Sequence, residues 1–204
     1  YRLVHRIGMA ILLTAAWTGE ADRRFYAWIL SRFRWQDKRF TFPDDQHSYF
    51  SLRSIVRTLG LRNSGRQVSL IKLPPQHRQN LALRIRPILG IETWKHARDG
   101  GLTIRAVTDA IIRMIASGDL RYRDRAFEMA FSLLAAGTCV GPKQSYTSIP
   151  WEMFACVLCD EGTGEYDLAE WAFEIIRAAV KKLQKDLAAG VRTLIVGVAI
   201  WLWL

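Results

Sequence analysis

Residues 168–190 read LAEWAFEIIRAAVKKLQKDLAAG, and this stretch predicts the longest helix of the chain. Apolar residues return every three or four positions, so they share one helix face; they are Leu168, Trp171, Ala172, Ile175, Ala179, Leu183 and Leu187. Acids lie in the first turns and Lys181, Lys182 and Lys185 in the last, as the helix dipole favours. Gly190 ends the helix.

The same helical spacing recurs through the chain, and the alternation typical of strands is nearly absent. We therefore predict an all-α protein. Two short helices are expected over residues 3–17 and 21–33, and a helix that stops at Gly60 has a predicted buried stripe of Tyr49, Leu52, Ile55, Val56 and Leu59. Thr103 is the predicted cap of another helix, whose inward residues are Val107, Ile111, Ile112 and Ile115.

Two breaks interrupt the helical spacing of apolar residues along the chain. Leu73 precedes Pro74-Pro75, and a residue before proline is disfavoured in the α region, so a subdomain boundary is expected there. Gly162-Thr163-Gly164 precedes the longest helix and predicts a flexible joint.

The charge of the chain is unevenly distributed. The first hundred residues hold eighteen Lys and Arg against seven acids, whereas the rest hold eleven against twelve. This asymmetry predicts a polyanion-binding surface in the basic half. Its predicted residues are Arg53, Arg57, Arg62, Arg66, Lys72, Arg78, Arg84 and Arg86, and the first four are expected to share one surface. Another basic group, Arg23, Arg24, Arg32 and Arg34, is interleaved with Phe25, Trp28 and Trp35.

Acidic residues concentrate around the predicted joint, at Asp160, Glu161, Glu165, Asp167, Glu170 and Glu174. Acids at the start of a helix are explained by the helix dipole alone. The alternative is a self-association surface that contacts the basic face of a neighbouring copy. A cation site is disfavoured, because carboxylates that run around a glycine-rich joint are not expected to converge.

Motifs for catalysis are absent from the sequence: it has no nucleophile elbow, no phosphate-binding glycine loop and no closely spaced histidine pair. Cys156 and Cys159 have the spacing of half a zinc site, but no histidine or cysteine follows them, so we interpret them as small core residues. We predict that the protein is not an enzyme and needs neither a cofactor nor a metal.

Several segments carry a resemblance to a known family. They are Arg125-Ala-Phe-Glu-Met-Ala130, the loop Gly141-Pro-Lys-Gln-Ser-Tyr146, the run from Trp151 to Glu161, and Leu70-Ile-Lys-Leu-Pro-Pro-Gln-His-Arg78. Together they resemble the middle region and basic linker of the matrix proteins of influenza-type viruses. The resemblance implies two small helical bundles joined by a linker, plus a C-terminal helical segment. The expected division is an N-terminal subdomain over 1–73, a basic linker over 74–101, a middle subdomain over 102–161 and a C-terminal domain over 165–204.

The resemblance also implies a function. Matrix proteins of this type form a self-assembled layer under the viral envelope, bind anionic membrane lipids and bridge to the viral ribonucleoprotein or RNA. The implied locations are the virion, at the inner face of the envelope, and the cytoplasmic face of the host plasma membrane. The chain departs from the family in two ways: the histidines that follow the paired cysteines are absent, and so is a compact basic run for nuclear import.

Two other functions remain open on the sequence alone. Arginines that neutralise phosphates without contacting base edges would make the protein a sequence-nonspecific RNA-binding module. Arginine clusters also suit an adaptor that captures acidic peptides.

Overall fold

The computed structural model describes residues 28, 30–34, 36–91, 101–117, 124–140, 148–160 and 162–191, and over these it is mostly helical. Its helices are α1 (Leu52–Leu59), α2 (Pro75–Ile88), α3 (Ile104–Ala116), α4 (Asp124–Ala135), α5 (Trp151–Leu158) and α6 (Leu168–Ala188). The predicted helix over 3–17 and most of the one over 21–33 lie outside the described residues.

Short strands make the all-α prediction wrong in detail. Strands β1 (Phe33–Arg34), β2 (Arg39–Thr41) and β3 (His47–Tyr49) form a three-stranded antiparallel sheet in that order. Strands β4 (Arg66–Gln67) and β5 (Tyr166–Asp167) form a parallel pair. Strands of two or three residues are too short to show an alternating pattern in the sequence, so periodicity had no means of revealing them.

Helix α1 ends at Gly60 as its sequence predicts, but it begins at Leu52, after the predicted start that included Tyr49. Ser51 caps it in a capping box with Ser54, and Gly60 ends it in the left-handed conformation with φ 62°. Ile55 and Leu59 are fully buried. Tyr49 corrects the prediction, because it lies in β3 ahead of the cap and is 69% exposed.

The longest helix, α6, packs against α1. The backbone N–H of Ala169 donates to the carbonyl of Arg62 at 3.1 Å, and the rings of Phe50 and Phe173 stack at 5.7 Å. Phe50 also contacts Phe33 edge to face at 5.9 Å. This aromatic contact ties the three-stranded sheet to α6 and sets which sheet face points outward.

Buried side chains of the described residues form one hydrophobic cluster that runs from Leu30 to Leu183. Helix α5 supplies Trp151, Phe154 and Cys156 to it and packs against α2 and α4. The sequence segments on either side of the Pro74-Pro75 break therefore share a core. The division into four segments stays a prediction.

Two local predictions are wrong. The expected flexible joint is a packed turn, because Gly162 and Thr163 are buried and the Thr163 hydroxyl lies 3.4 Å from that of Ser132. In α3, Thr103 caps the helix as predicted, but Ile112 and Ile115 face outward. Among the residues the structure describes, no helix is long and apolar enough to cross a membrane.

Candidate polyanion-binding surface

The outer face of the three-stranded sheet carries a row of basic and aromatic side chains. Arg34 is paired with Arg39, which is in turn paired with Tyr49. Directly paired residues of antiparallel strands project from the same face. Phe33 and Phe40 form the neighbouring pair and pack inward with ring centroids 4.8 Å apart. The row therefore lies on the opposite side of the sheet, where Arg34 and Tyr49 are exposed and Arg39 is half-buried.

One carboxylate orders the two arginines of the row. The Oδ2 of Asp37 lies 3.4 Å from Nε of Arg34 and 3.3 Å from Nε of Arg39. A single acid between two guanidinium groups leaves the row with a net positive charge. Exposed ion pairs of this kind contribute little to stability, so their consequence here is mainly the orientation of the arginines.

A cation–π pair lies next to the sheet, beside Phe42. The guanidinium carbon of Arg32 lies 5.5 Å from the centroid of the Trp28 ring. Trp28 is 40% exposed and contacts Phe42 at a centroid distance of 6.2 Å. An aromatic ring under a cation, still open to solvent, offers both charge and apolar area to a ligand.

Helix α6 brings further cations from the other end of the chain. The side-chain amide of Gln184 donates to the carbonyl oxygens of Leu30 at 3.0 Å and Phe33 at 2.9 Å. Exposed Lys181 and Lys185 lie one turn apart and flank Gln184 on the helix, with exposed Lys182 beside them. The sequence explained these lysines by the helix dipole alone. Nothing in the local pattern links them to Arg32 and Arg34, because the link is a tertiary hydrogen bond.

We call this region the sheet surface, defined by Trp28, Arg32, Arg34, Arg39, Tyr49, Lys181, Lys182 and Lys185. The described parts of 28–49 and 181–191 together hold seven Lys and Arg against four acids. Charges that lie within about 8 Å of each other, the screening length at physiological ionic strength, act together. The arrangement is suited to a polyanion with an apolar or aromatic component.

The predicted polyanion-binding residues fall into three groups. Arg53, Arg57, Lys72 and Arg84 are exposed, and the first two lie one turn apart on α1. Arg78 and Arg86 are half-buried and donate from Nε to the carbonyls of Leu73 and Ile91 at 2.9 and 3.3 Å. Arg62 and Arg66 form the third group and reach towards the joint. Their sharing of one surface with Arg53 and Arg57 stays a prediction.

Around the joint at residues 162–164, side chains of the basic half contact the acidic cluster. Arg62 donates to the carbonyl of Gly164, and Nη1 of Arg66 lies 3.4 Å from Oε2 of Glu165. Gln67 donates to Glu170 at 2.9 Å. The β4–β5 pair runs between these contacts, so the two oppositely charged regions meet within one chain.

Two other acids of the cluster, Asp167 and Glu174, have partners in their own chain. Asp167 caps α6 by accepting from the backbone N–H of Glu170 at 2.8 Å, which is the helix-start role. Glu174 pairs with Arg177 at 3.0 Å. Asp160 is exposed, with its backbone carbonyl bonded by Arg125, and Glu161 lies outside the described residues. A self-association role for the acidic cluster stays a prediction.

Cys156 and Cys159 lie beneath the joint. Burial raises the pKa of the Cys156 thiol from 9.0 to about 12, so it is a neutral thiol at physiological pH. The Cys159 thiol donates to Oε2 of Glu165 at 3.1 Å. Burial, followed by the nearby thiols, also raises the pKa of Tyr166. A buried neutral thiol is neither a ready nucleophile nor a metal ligand, and in the described part of the chain no three His, Cys, Asp or Glu side chains are grouped to hold a metal.

Residues 1–202, nearly the whole chain, match the family described as a domain of unknown function, DUF8566. The chain belongs to the DUF8566 family. No curated protein and no solved structure matches it.

Proposed function

We propose that this DUF8566 chain is a non-enzymatic structural protein that binds anionic membranes through the sheet surface and assembles laterally. The observation that supports the membrane-binding part is that Gln184, which lies between the exposed lysines of α6, bonds the backbone carbonyls of Leu30 and Phe33, next to Arg32 and Arg34 in the chain. The proposal retains the matrix-type role, layer formation and bridging to a ribonucleoprotein, which the sequence resemblance implies. It also retains two helical bundles joined by a basic linker as the organisation of the chain.

Side chains of the sheet surface fit the chemistry of an anionic leaflet. Lysine and arginine near such a leaflet contribute about 1 kcal/mol each. Trp and Tyr favour the boundary between headgroups and acyl chains, and Trp28 and Tyr49 are 40% and 69% exposed beside the cations. An aromatic side chain at this position therefore adds affinity that charge alone does not supply.

A single copy is expected to bind weakly. The described segments that carry the sheet surface have a net excess of three cations, seven against four, and about 1 kcal/mol for each corresponds to an affinity weaker than millimolar. Copies held together laterally multiply this affinity, because each further contact forms at high effective concentration. Membrane binding and assembly are accordingly one function in this proposal.

The test is co-flotation of the purified chain with vesicles that contain phosphatidylserine, at low salt. The variant carries Lys181→Glu and Lys185→Glu, and the matched control carries Arg53→Glu and Arg57→Glu. Both change the charge equally at exposed positions one turn apart. We expect the first variant to lose most of its flotation and the control to retain it. Vesicles of phosphatidylcholine alone should leave all three proteins at the bottom of the gradient.

Each opposite outcome has a definite meaning. Equal loss in both variants would show that total charge, and not the sheet surface, determines binding. If the wild-type chain does not float but binds single-stranded RNA, with affinity that falls steeply as salt rises, the ligand is a nucleic acid and the membrane proposal is wrong.

A further inference from the structure

Helix α3 presents two large aliphatic side chains to solvent. Ile112 is 58% exposed and Ile115 is 66% exposed. Val107, Ala110 and Met114 lie on the opposite side and are buried against the core. Single exposed apolar residues are common, but two isoleucines three positions apart form a contiguous patch on one helix face.

Charged residues on α3 flank the patch in an alternating order. Arg105, Asp109 and Arg113 are all exposed and follow one another at intervals of four residues. Asp109 lies three residues before Ile112, and Arg105 and Arg113 each lie one turn from Asp109, so the charged row borders the patch along one side. Nη2 of Arg113 donates to the carbonyl of Gly90 at 3.2 Å, which leaves the rest of its guanidinium for an acid.

We propose that α3 packs against α3 of a second copy, antiparallel and around a two-fold axis that passes close to Ile112. In this arrangement Ile112 contacts its equivalent across the axis. Asp109 lies opposite Arg113 of the second copy, and Arg113 lies opposite Asp109 of the second copy. Each contact occurs twice, as a two-fold interface requires.

The order of charges along α3 favours a second copy of the chain, with its α3 helix antiparallel to the first. A parallel pair of α3 helices would place Asp109 against Asp109 and Arg113 against Arg113, which is repulsive. An antiparallel pair converts the same charges into two attractive pairs beside a buried apolar centre. The acids Glu165 and Glu170, expected from the sequence to mediate self-association, already bond Arg66 and Gln67 in their own chain. The apolar face of α3 is thus the better candidate for contact between copies.

The first test is sedimentation of the full chain over a range of micromolar concentrations, without lipid. We expect a concentration-dependent dimer. Ile112→Glu should leave only monomer, because it would place two carboxylates together at the axis. Ala178→Glu, which adds a carboxylate at an exposed position on α6, is the control and should dimerise like the wild type. A wild-type chain that stays monomeric, or an unaffected Ile112→Glu dimer, would overturn the proposal.

The second test exchanges the charges. Asp109→Arg removes both ion pairs, and two exposed pairs correspond to an affinity loss of about three- to thirtyfold. Adding Arg113→Asp to the same chain restores both pairs with the partners reversed, so affinity should recover. Failure of the double variant to recover, with melting temperatures like the wild type, would show that these residues do not face each other.

Cross-linking checks the position of the axis. Ile112→Cys should form a disulfide-linked dimer under mild oxidation, whereas Ala178→Cys, an exposed position on α6, should not. Equal cross-linking of the two variants would place the contact elsewhere. These measurements contain no membrane, so their outcome is independent of the ligand that the sheet surface binds.

Discussion

Replacing Gly65 by alanine tests whether the joint holds the two charged regions of the chain together. Gly65 has φ +114°, and a Cβ atom at this position would overlap the carbonyl oxygen of Glu165. The change therefore imposes two costs: a backbone conformation that alanine rarely adopts, and displacement of the backbone at Glu165.

The size of the effect follows from those two costs. A strained backbone conformation costs about 1–3 kcal/mol. Moving Glu165 away also weakens the backbone hydrogen bonds of the β4–β5 pair, at about 1 kcal/mol each. The Arg66–Glu165 ion pair adds little, because the Arg66 side chain is 69% exposed. We expect Gly65→Ala to lower the free energy of unfolding by about 3–5 kcal/mol.

Gly90→Ala is the matched control. Gly90 also has positive φ, +60°, but a Cβ atom there would meet nothing within 4 Å. Its cost should be backbone strain alone, about 1–2 kcal/mol. Urea unfolding followed by far-ultraviolet circular dichroism measures both variants. If Gly65→Ala costs no more than Gly90→Ala, the joint does not constrain the fold and the argument is refuted.

Two further predictions concern single side chains. Tyr49→Ala should reduce flotation with phosphatidylserine vesicles and leave the melting temperature unchanged, because this ring is 69% exposed and belongs to the sheet surface; an unchanged flotation would remove Tyr49 from that surface. Stability should fall as pH rises above 9, because the Cys156 thiol ionises near 9.0 in the unfolded chain but only near 12 in the folded one. The unfolded state then loses its proton first, which lowers the free energy of unfolding by up to about 1.4 kcal/mol per pH unit. Cys156→Ala should therefore show a shallower decline of the urea midpoint with pH. An identical decline would contradict the burial of this thiol.

Helix caps and hydrophobic spacing made several elements predictable from the local sequence. The caps at Thr103 and Gly60 and the length of α6 depend on interactions within a few residues, and the structure confirms them. The strands were missed because each spans two or three residues and is stabilised by pairing with a distant segment. The inward orientation predicted for Ile112 was wrong, because spacing identifies an apolar residue on a helix but not which face the core covers.

The basic surface also depends on tertiary contacts that the local sequence does not show. Composition correctly indicated arginines interleaved with aromatic residues near Trp28, but not that Lys181 and Lys185 belong beside them. That placement depends on one amide, Gln184, whose partners lie about 150 residues away in the chain.

Local sequence therefore established a mostly helical, basic chain without catalytic motifs, because hydrophobic period, helix caps and charge are properties of neighbouring residues. Tertiary packing established which of those charges act together. It bonded Arg62 and Arg66 to the acidic joint, joined the lysines of α6 to the sheet, and left Ile112 and Ile115 outside the core. The physical reason is that charge and exposure act through space, and the distances between segments far apart in the chain exist only once the core has formed.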